Sequence, residues 1–344
     1  MRILPAITLT FIAAFSVRQA AAQVPGATQS QQLESVEQRL AMEERAASLT
    51  LSNAPSLFPK EDADVGPQSV LKINGGGPTI EIFADAQYFY TDNMFLSDQH
   101  KQSADVLVST IQGMINAGRF NVLGGDFLQR FGYRHQWFDY GLADRSTIDV
   151  FDFKTSSFRK ARLNEFDFNA ATLFADGKWK RDNWVASVAF DYRRLMDTDH
   201  YQQFYSELTP SWGLKRIVPL CSRCVLTLGY EGDYRVTDTD DPPPGFNSKF
   251  NDRTDHSLLL DGSYVLCKYA IAQAYYRFQY TYFTASESRQ DYLNAFGLAL
   301  YCPINQNIGL RVFANYDILR TNGKLVTDYD RLDTGVGLNL VVKF

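Results

Sequence analysis

Beyond its first 22 residues the sequence has no long apolar stretch, and its mean hydropathy is −0.25. A transmembrane helix needs about 20 consecutive apolar residues, so the rest of the chain is not expected to cross a membrane as a helix. Positive charge is also scarce: 34 Lys and Arg face 39 Asp and Glu, a formal charge of −5. This balance argues against nucleic acid as a partner, because nucleic acid recruits clustered basic residues.

Histidine and cysteine are few, with four of each in 344 residues. His200 and His256 each follow an aspartate, Asp199 and Asp255. A histidine beside an acid could activate a water molecule, but no third catalytic group accompanies either pair. A hydrolase is therefore the least favoured function, and we expect no enzyme, no cofactor and no metal site.

The first residues, MRILPAITLTFIAAFSVRQAAAQ, have the pattern of a secretory signal peptide. Arg2 precedes an apolar run that ends at Val17, and Ala20–Ala22 supplies a small-residue cleavage site. We expect residues 1–22 to be removed, so that the mature chain begins near Gln23 outside the cytoplasm.

Aromatic residues are abundant, at 14% of the chain with 25 Phe and 19 Tyr, and they fall in an alternating pattern. From about residue 78, apolar and polar residues alternate, as they do in strands with one apolar face. Most of these segments are long enough to cross a bilayer as tilted strands of about 9–11 residues. The twelve segments lie near 78–92, 104–116, 120–140, 163–180, 184–196, 202–216, 224–236, 255–267, 269–283, 291–302, 306–318 and 329–344.

Short turns alternate with longer polar loops between these segments. The turns are NAGR (116–119), KRDN (180–183), IVPLCSR (217–223), CK (267–268) and PINQ (303–306). Bacterial outer-membrane barrels have short periplasmic turns and long extracellular loops. In hydrocarbon a sheet must close on itself to pair every backbone group. We therefore predict an all-β fold, a transmembrane antiparallel up-and-down β-barrel of about 12 strands over residues 78–344, preceded by a short periplasmic helix.

The carboxyl terminus, TGVGLNLVVKF, has an apolar residue at every second position, namely Val336, Leu338, Leu340, Val342 and Phe344. This strand resembles the assembly signal of Gram-negative outer-membrane β-barrel proteins. The stretch ADAQYFYTDNMFLS (84–97) is similar to the first strand and loop of β-barrel porins of unassigned function. The resemblance implies an outer-membrane location. It also implies partners: outer-membrane lipids, lipopolysaccharide, the barrel assembly machinery and, as one form of assembly, a homo-oligomer.

Residues 23–77 are expected to form a periplasmic segment between the signal peptide and the barrel. Within it, SQQLESVEQRLAMEERAAS (30–48) predicts a helix with Leu33, Val36 and Leu40 along one side. Two heptads leave three interpretations open: a coiled coil between subunits, a helix against the barrel, or a solvated amphipathic helix. The Pro- and Gly-containing remainder predicts an irregular linker.

Alternation assigns many charged residues to the inner face, because a charge facing lipid costs about 2–4 kcal/mol near the midplane. The predicted lumen-lining residues are Arg130, Arg134, Asp191, Arg193, Glu231, Asp233, Asp261, Arg277, Arg311 and Asp317. Inward-facing Phe313, Tyr275 and Tyr205 are expected to narrow the lumen. Two functions remain open: a narrow passive channel for small polar solutes, which we favour, or a closed structural or adhesive barrel that displays long loops.

The four cysteines, Cys221, Cys224, Cys267 and Cys302, all map to the short-turn side of the predicted barrel. An oxidising periplasm allows them to form disulfides. One pairing is Cys221–Cys224 with Cys267–Cys302, and another joins Cys224 to Cys267. We expect these bonds to be structural.

Overall fold

The computed structural model describes residues 27–52 and then, with short gaps, residues 78–344. Those gaps are 99–100, 144–146, 153–156, 241, 243–245, 268, 286–287, 306 and 324–325. The predicted signal peptide and linker therefore lie outside the described residues. Among the described residues, no helix is both long and apolar enough to cross a membrane.

Twelve antiparallel strands form a closed barrel, which confirms the predicted fold class. The barrel strands are β1 (Thr79–Thr91), β2 (Ala104–Val122), β3 (Gly125–Tyr140), β6 (Phe168–Arg181), β7 (Trp184–Asp197), β8 (Gln203–Cys221), β9 (Cys224–Thr239), β10 (Arg253–Cys267), β11 (Ala270–Phe283), β12 (Gln290–Pro303), β13 (Ile308–Thr321) and β14 (Tyr329–Lys343). The remaining elements are a helix, α1 (Ala27–Ser52), and a hairpin of β4 (Thr147–Asp152) and β5 (Ser157–Arg162).

The barrel closes where the last strand pairs with the first. Along β1 and β14, Ile82 lies opposite Val342 and Ala84 lies opposite Leu340. At the end of this seam the Ile80 amide donates to the Phe344 carbonyl at 3.2 Å, and the Phe344 amide donates back at 2.9 Å. Each barrel strand thus has a partner on both sides, and no open sheet edge remains to be satisfied by solvent.

The wall has its apolar side chains on the outside. Leu298, Val188 and Leu258 are 63%, 58% and 57% exposed, whereas Arg311 and Asp317 are buried. A soluble barrel has the opposite arrangement, because it must bury apolar surface to be stable. The chain is therefore a β-barrel of the outer-membrane type. The predicted assembly strand follows the same pattern, with its exposed apolar residues being Val336, Leu338, Leu340 and Phe344.

Two predicted turns are wrong because the strands continue through them. β2 runs past residues 116–119 to a turn at Leu123–Gly124, and a bulge between Asn116 and Arg119 absorbs the irregular segment. Gly118 within the bulge has a φ of 110°, a conformation that glycine tolerates best. β8 likewise extends through most of 217–223, and the turn itself is Ser222–Arg223. These turns define the short-turn end of the barrel.

The opposite, long-loop end is covered by chain between β3 and β6. The β4–β5 hairpin is followed by a 3₁₀ turn, Leu163–Phe166, and both Ile148 and Leu163 are buried. Phe166 packs edge-on against Phe95 of the first long loop, with ring centroids 5.0 Å apart. We call this group of loops the loop cap.

Helix α1 lies inside the barrel, not beside it. Its Gln32 donates to the Met94 carbonyl at the long-loop end, and the Met42 carbonyl accepts from Gln273, which lies near the short-turn end on β11. Of the three interpretations left open, contact with the barrel is the one that fits residues 28–42, on the inner face of the wall, and a coiled coil or a solvated helix is wrong for them. The sequence of α1 has one narrow apolar stripe among charged residues. That pattern alone does not show that the charged side chains pair with residues of the barrel wall.

A lipid-facing position can be tested by introducing a charge at two depths. Leu298→Arg, in the middle of β12, should lower the free energy of unfolding in phospholipid vesicles by about 2–4 kcal/mol. Leu220→Arg is the control, because Leu220 is similarly exposed, at 64%, but lies at the short-turn end, where the cost is about 0–1 kcal/mol. Urea titration of folding into vesicles measures both, and equal costs would contradict a membrane-facing band.

Candidate functional site in the barrel lumen

The predicted lumen-lining residues all lie on the inner face of the wall. Arg193, Asp261, Arg277, Arg311 and Asp317 are buried, and the other five are partly buried. Tyr205, Tyr275 and Phe313 are also buried. The interior that these residues line is occupied by α1, a feature that the alternation pattern alone does not predict.

Much of the wall's interior charge is neutralised within the wall. Arg311 donates to Asp85 at 3.1 Å, and Arg331 donates to Asp317 at 2.5 Å. Further pairs are Arg130–Asp176 at 2.9 Å and Lys215–Glu231 at 2.5 Å. Low-dielectric surroundings make such pairing obligatory, since an unpaired buried charge is costly.

Glu34 of α1 binds two arginines of the wall. Its carboxylate accepts from Nη1 of Arg235 and, at 2.9 Å, from Nη2 of Arg253. Wall carboxylates hold the opposite edges of these arginines: Nε of Arg235 donates to Asp233 at 2.9 Å, and Nε of Arg253 donates to Asp255 at 3.2 Å. The wall therefore fixes each guanidinium and directs a terminal nitrogen towards the lumen.

Glu37, one helical turn later, repeats this arrangement with a second arginine pair. One carboxylate oxygen accepts from Nη1 of Arg134 at 2.5 Å, and the other accepts from Nη2 of Arg193 at 2.7 Å. Arg134 is held through Nε by Gln112 at 2.8 Å, and Arg193 also donates through Nη1 to Glu207. The two glutamates thus occupy neighbouring arginine pairs along the lumen.

Arg39 is the positive counterpart on the helix and is only 2% exposed. It donates to Asp333 and to Gln87, each at 3.1 Å. Its guanidinium lies 4.4 Å from the Phe89 ring centroid and 4.8 Å from that of Phe313. Cation–π contact and the ion pair together offset the removal of this charge from water.

Apolar and neutral polar contacts complete the seating of α1. Leu33 and Val36 are fully buried in a cluster that includes Phe138 and Phe168. Burial of such side chains contributes about 1.5–3 kcal/mol each. Ser30 also donates to Glu207 at 3.2 Å. These contacts hold α1 in the lumen.

Small cavities remain between the helix and the wall. One of about 30 Å³ lies beside Glu34 and Arg253, and another of about 10 Å³ lies beside Arg39 and Met42. A single water needs roughly 10–15 Å³ of such space. Each of these two cavities, lined by described residues, therefore has room for individual waters only.

The loop cap carries acids with shifted pKa values. Burial raises the pKa of Asp167 to about 6, and the carboxylates of Asp139 and Asp199 act in the same direction, against a hydrogen bond from the Tyr140 amide. The pKa of Glu165 is instead lowered, because hydrogen bonds from Arg162 and Arg159 favour its charged form. Asp167 therefore changes charge at mildly acidic pH.

The histidine–acid pair at His256 does not form a catalytic unit. His256 faces outwards, where its Nδ1 lies 2.8 Å from the Tyr230 hydroxyl, whereas Asp255 is buried inside. Successive residues of a strand point to opposite faces, so these two side chains cannot act together. His200 lies in an exposed turn. Among the described residues, no three His, Cys, Asp or Glu side chains are arranged to bind a metal.

Of the predicted disulfides, the structure contains Cys221–Cys224, which joins the ends of β8 and β9 across their turn. Cys267 and Cys302 are free thiols, so the pairings Cys267–Cys302 and Cys224–Cys267 are wrong. β11 separates β10 from β12, and two strand spacings of about 4.8 Å exceed the Cα separation that a disulfide spans.

Sequence reasoning missed several residues that hold the helix. Glu34, Glu37 and Arg39 were given no role, and Arg253 and Asp333 were not assigned to the lumen. Arg253 and Asp333 share the alternation of their strands, with Asp255 and Arg331 two residues away on the same face. That periodicity could have found the wall residues. The helix residues gave no such signal.

Comparisons with known proteins find distant similarity in structure. No family model and no curated protein matches the sequence. An outer membrane channel from Pseudomonas putida F1 is 9% identical, with 77% of this chain and 96% of that chain covered and a TM-score of 0.48. The translocator domain of the autotransporter NalP from Neisseria meningitidis is 12% identical, with 89% and 97% covered and a TM-score of 0.36.

An anion-selective porin from Comamonas acidovorans is 10% identical, with 77% of this chain and 99% of that chain covered and a TM-score of 0.36. At these identities the likeness concerns the barrel fold alone. The function of this chain must therefore be argued from its own lumen.

The Cys221–Cys224 disulfide predicts how many cysteines react with a thiol reagent before and after reduction. Maleimide labelling of the unfolded, unreduced protein should modify two cysteines, Cys267 and Cys302, and labelling after reduction should modify all four. Mass spectrometry of the labelled peptides reads the result. Modification of Cys221 or Cys224 without reductant would contradict the bond.

The contacts of Arg39 with the wall predict how Arg39→Met changes hydrogen exchange in α1. Methionine keeps the contact with Phe89 and Phe313 but removes the bonds to Asp333 and Gln87. Loss of charge-assisted bonds worth about 1.5–3 kcal/mol should speed amide hydrogen exchange in residues 28–42 by roughly 10- to 100-fold. Arg159→Met, at an exposed loop pair with Glu165, is the control and should leave this exchange unchanged. Unchanged exchange in Arg39→Met would show that Arg39 does not hold the helix.

Proposed function

We propose that this protein is a passive outer-membrane channel for small polar solutes, closed at rest by its own helix α1. The observation that carries the proposal is that α1 fills the lumen without forming part of the wall. The sheet closes through β1 and β14, and all twelve barrel strands pair with strands alone. A wall that is complete by itself can retain its structure when the helix moves.

The width of the barrel supports this separation of roles. Side chains fill the interior of barrels with about 8 strands, whereas 16–18 strands leave a channel. With twelve strands, the space that wall side chains leave here is occupied by a helix, whose diameter with side chains is about 10–12 Å. Displacement of α1 would expose an inner face rich in charged and amide groups, which suits water and small polar solutes.

The contacts that hold α1 are of a kind that water can replace. Glu34 and Glu37 make four partly buried ion pairs with the wall. Such pairs contribute little net stability, because the cost of desolvation offsets much of their attraction. The apolar contacts of Leu33 and Val36 then favour the closed state but still allow the helix to leave the lumen.

The same geometry supports one alternative, a permanently closed barrel that displays its loops. The loop cap covers the long-loop end. Helix α1 is hydrogen-bonded to the rest of the protein near both ends of residues 28–42. In that case the β4–β5 hairpin and neighbouring loops would serve adhesion or envelope structure. Both proposals place the apolar band in outer-membrane lipid and use the terminal strand for assembly.

Single-channel recording of the refolded full chain separates the two proposals. In planar bilayers with KCl, the wild-type protein should be mostly closed with rare openings. Glu34→Gln/Glu37→Gln should raise the open occupancy at least tenfold, because losing charge-assisted bonds worth about 1.5–3 kcal/mol destabilises the closed state.

Glu165→Gln is the matched control, since it removes a carboxylate from an exposed pair in the loop cap and should leave the occupancy unchanged. Heat-dependent mobility on gels verifies that each variant is folded. A folded double variant that stays silent would contradict the channel and favour the closed barrel.

A further inference from the structure

The two arginine pairs that bind α1 have the geometry of a receptor for carboxylates. Arg235 and Arg253 bind Glu34 through terminal guanidinium nitrogens. Arg134 and Arg193 bind Glu37 in the same way. Charge-assisted bonds from guanidinium groups are the strongest that proteins make to carboxylates. The ligand in this structure is a side chain of the protein's own helix.

The arginines are held in place by the wall and do not depend on the helix for their orientation. Asp233 and Asp255 bind the Nε atoms of Arg235 and Arg253, and Gln112 binds that of Arg134. Arg193 is held by Glu207. When α1 leaves, the terminal nitrogens remain directed into the lumen, and the two sites are preorganised for another anion.

We propose that these pairs are two carboxylate subsites for a permeating solute, and that Glu34 and Glu37 occupy them in its absence. This inference rests on the proposed channel function. Each arginine pair binds one carboxylate in the closed state. A solute with two carboxylates therefore exchanges for the two glutamates charge for charge.

The spacing of the glutamates indicates the class of solute. Residues three apart on a helix lie side by side, with Cβ atoms about 5–6 Å apart. A small, flexible organic dicarboxylate places two carboxylates at a comparable separation, whereas a monocarboxylate fills only one subsite. The cavity of about 30 Å³ beside Glu34 and Arg253 has room for water next to one of the pairs. Dicarboxylates should therefore bind in preference to monocarboxylates and should compete with the helix.

Calorimetric titration tests the subsites without requiring conduction. Glutarate is titrated into the folded, full-length Glu34→Gln/Glu37→Gln protein in detergent, with acetate as the monocarboxylate. The dissociation constant of glutarate should be roughly tenfold lower than that of acetate or lower still. A second charge-assisted contact contributes about 1.5–3 kcal/mol to binding. Equal affinity, or no binding of glutarate, would overturn the proposal even if the channel conducts.

Arginine variants in the same background locate the binding. Arg134→Lys/Arg253→Lys keeps both charges but loses the forked geometry, and it should weaken glutarate binding by roughly tenfold. Arg159→Lys is the control, because Arg159 pairs with Glu165 in the exposed loop cap and does not line the lumen. If both lysine variants weaken glutarate binding equally, the subsites are not where we place them.

Conductance then connects the subsites to gating. Millimolar glutarate should raise the open occupancy of the wild-type channel, and an equal concentration of acetate should not. A channel that opens but ignores glutarate would overturn the subsites alone. Glutarate binding by a silent barrel would support the subsites and contradict the channel.

Discussion

The structure depends on one constraint: every backbone donor and acceptor at the depth of the membrane must be paired inside the protein. The seam between β1 and β14 satisfies it by joining the two ends of the sheet, down to the reciprocal bonds of Ile80 and Phe344. Closure then divides the side chains into two sets. Apolar residues such as Leu298 face outwards, and charged residues such as Arg311 must find partners in a confined interior.

Closure of the sheet also creates an interior space that has to be filled. Twelve strands enclose more space than their own side chains fill, and an empty lumen would hold water throughout. Helix α1 fills this space, but it does so mainly through charged and amide groups directed at the wall. Leu33 and Val36 supply the main apolar contact of its described part. A plug of this composition is stable in place and yet compatible with a wet lumen after it moves.

The arginines link this architecture to function. Wall acceptors such as Asp255 and Glu207 hold one side of each guanidinium, so the other side is available to whatever occupies the lumen. In the closed state that occupant is α1, through Glu34 and Glu37. In the channel that we propose, the contact that closes the lumen and the solute site use the same atoms, so an anion that binds there also weakens the attachment of the helix.

Alternation allowed the strands and their faces to be predicted, because side chains on successive residues of a strand point to opposite sides. All twelve barrel strands and the inward direction of Arg193, Arg277 and Asp317 followed from this rule. The turn after β2 did not, because a bulge at Gly118 lets a strand continue through a turn-like sequence. The pairing of the cysteines was also open, since it depends on which strands are neighbours.

The sequence by itself therefore determined the class of the protein, its strand pattern and the presence of a helix near residues 30–48. Only the tertiary structure decided where that helix lies and which charges it meets. The physical reason is that periodicity is a local property, written into each segment by the face it must present. Complementarity between Glu34 and Arg253, 219 residues apart, exists only once the sheet has closed around the helix.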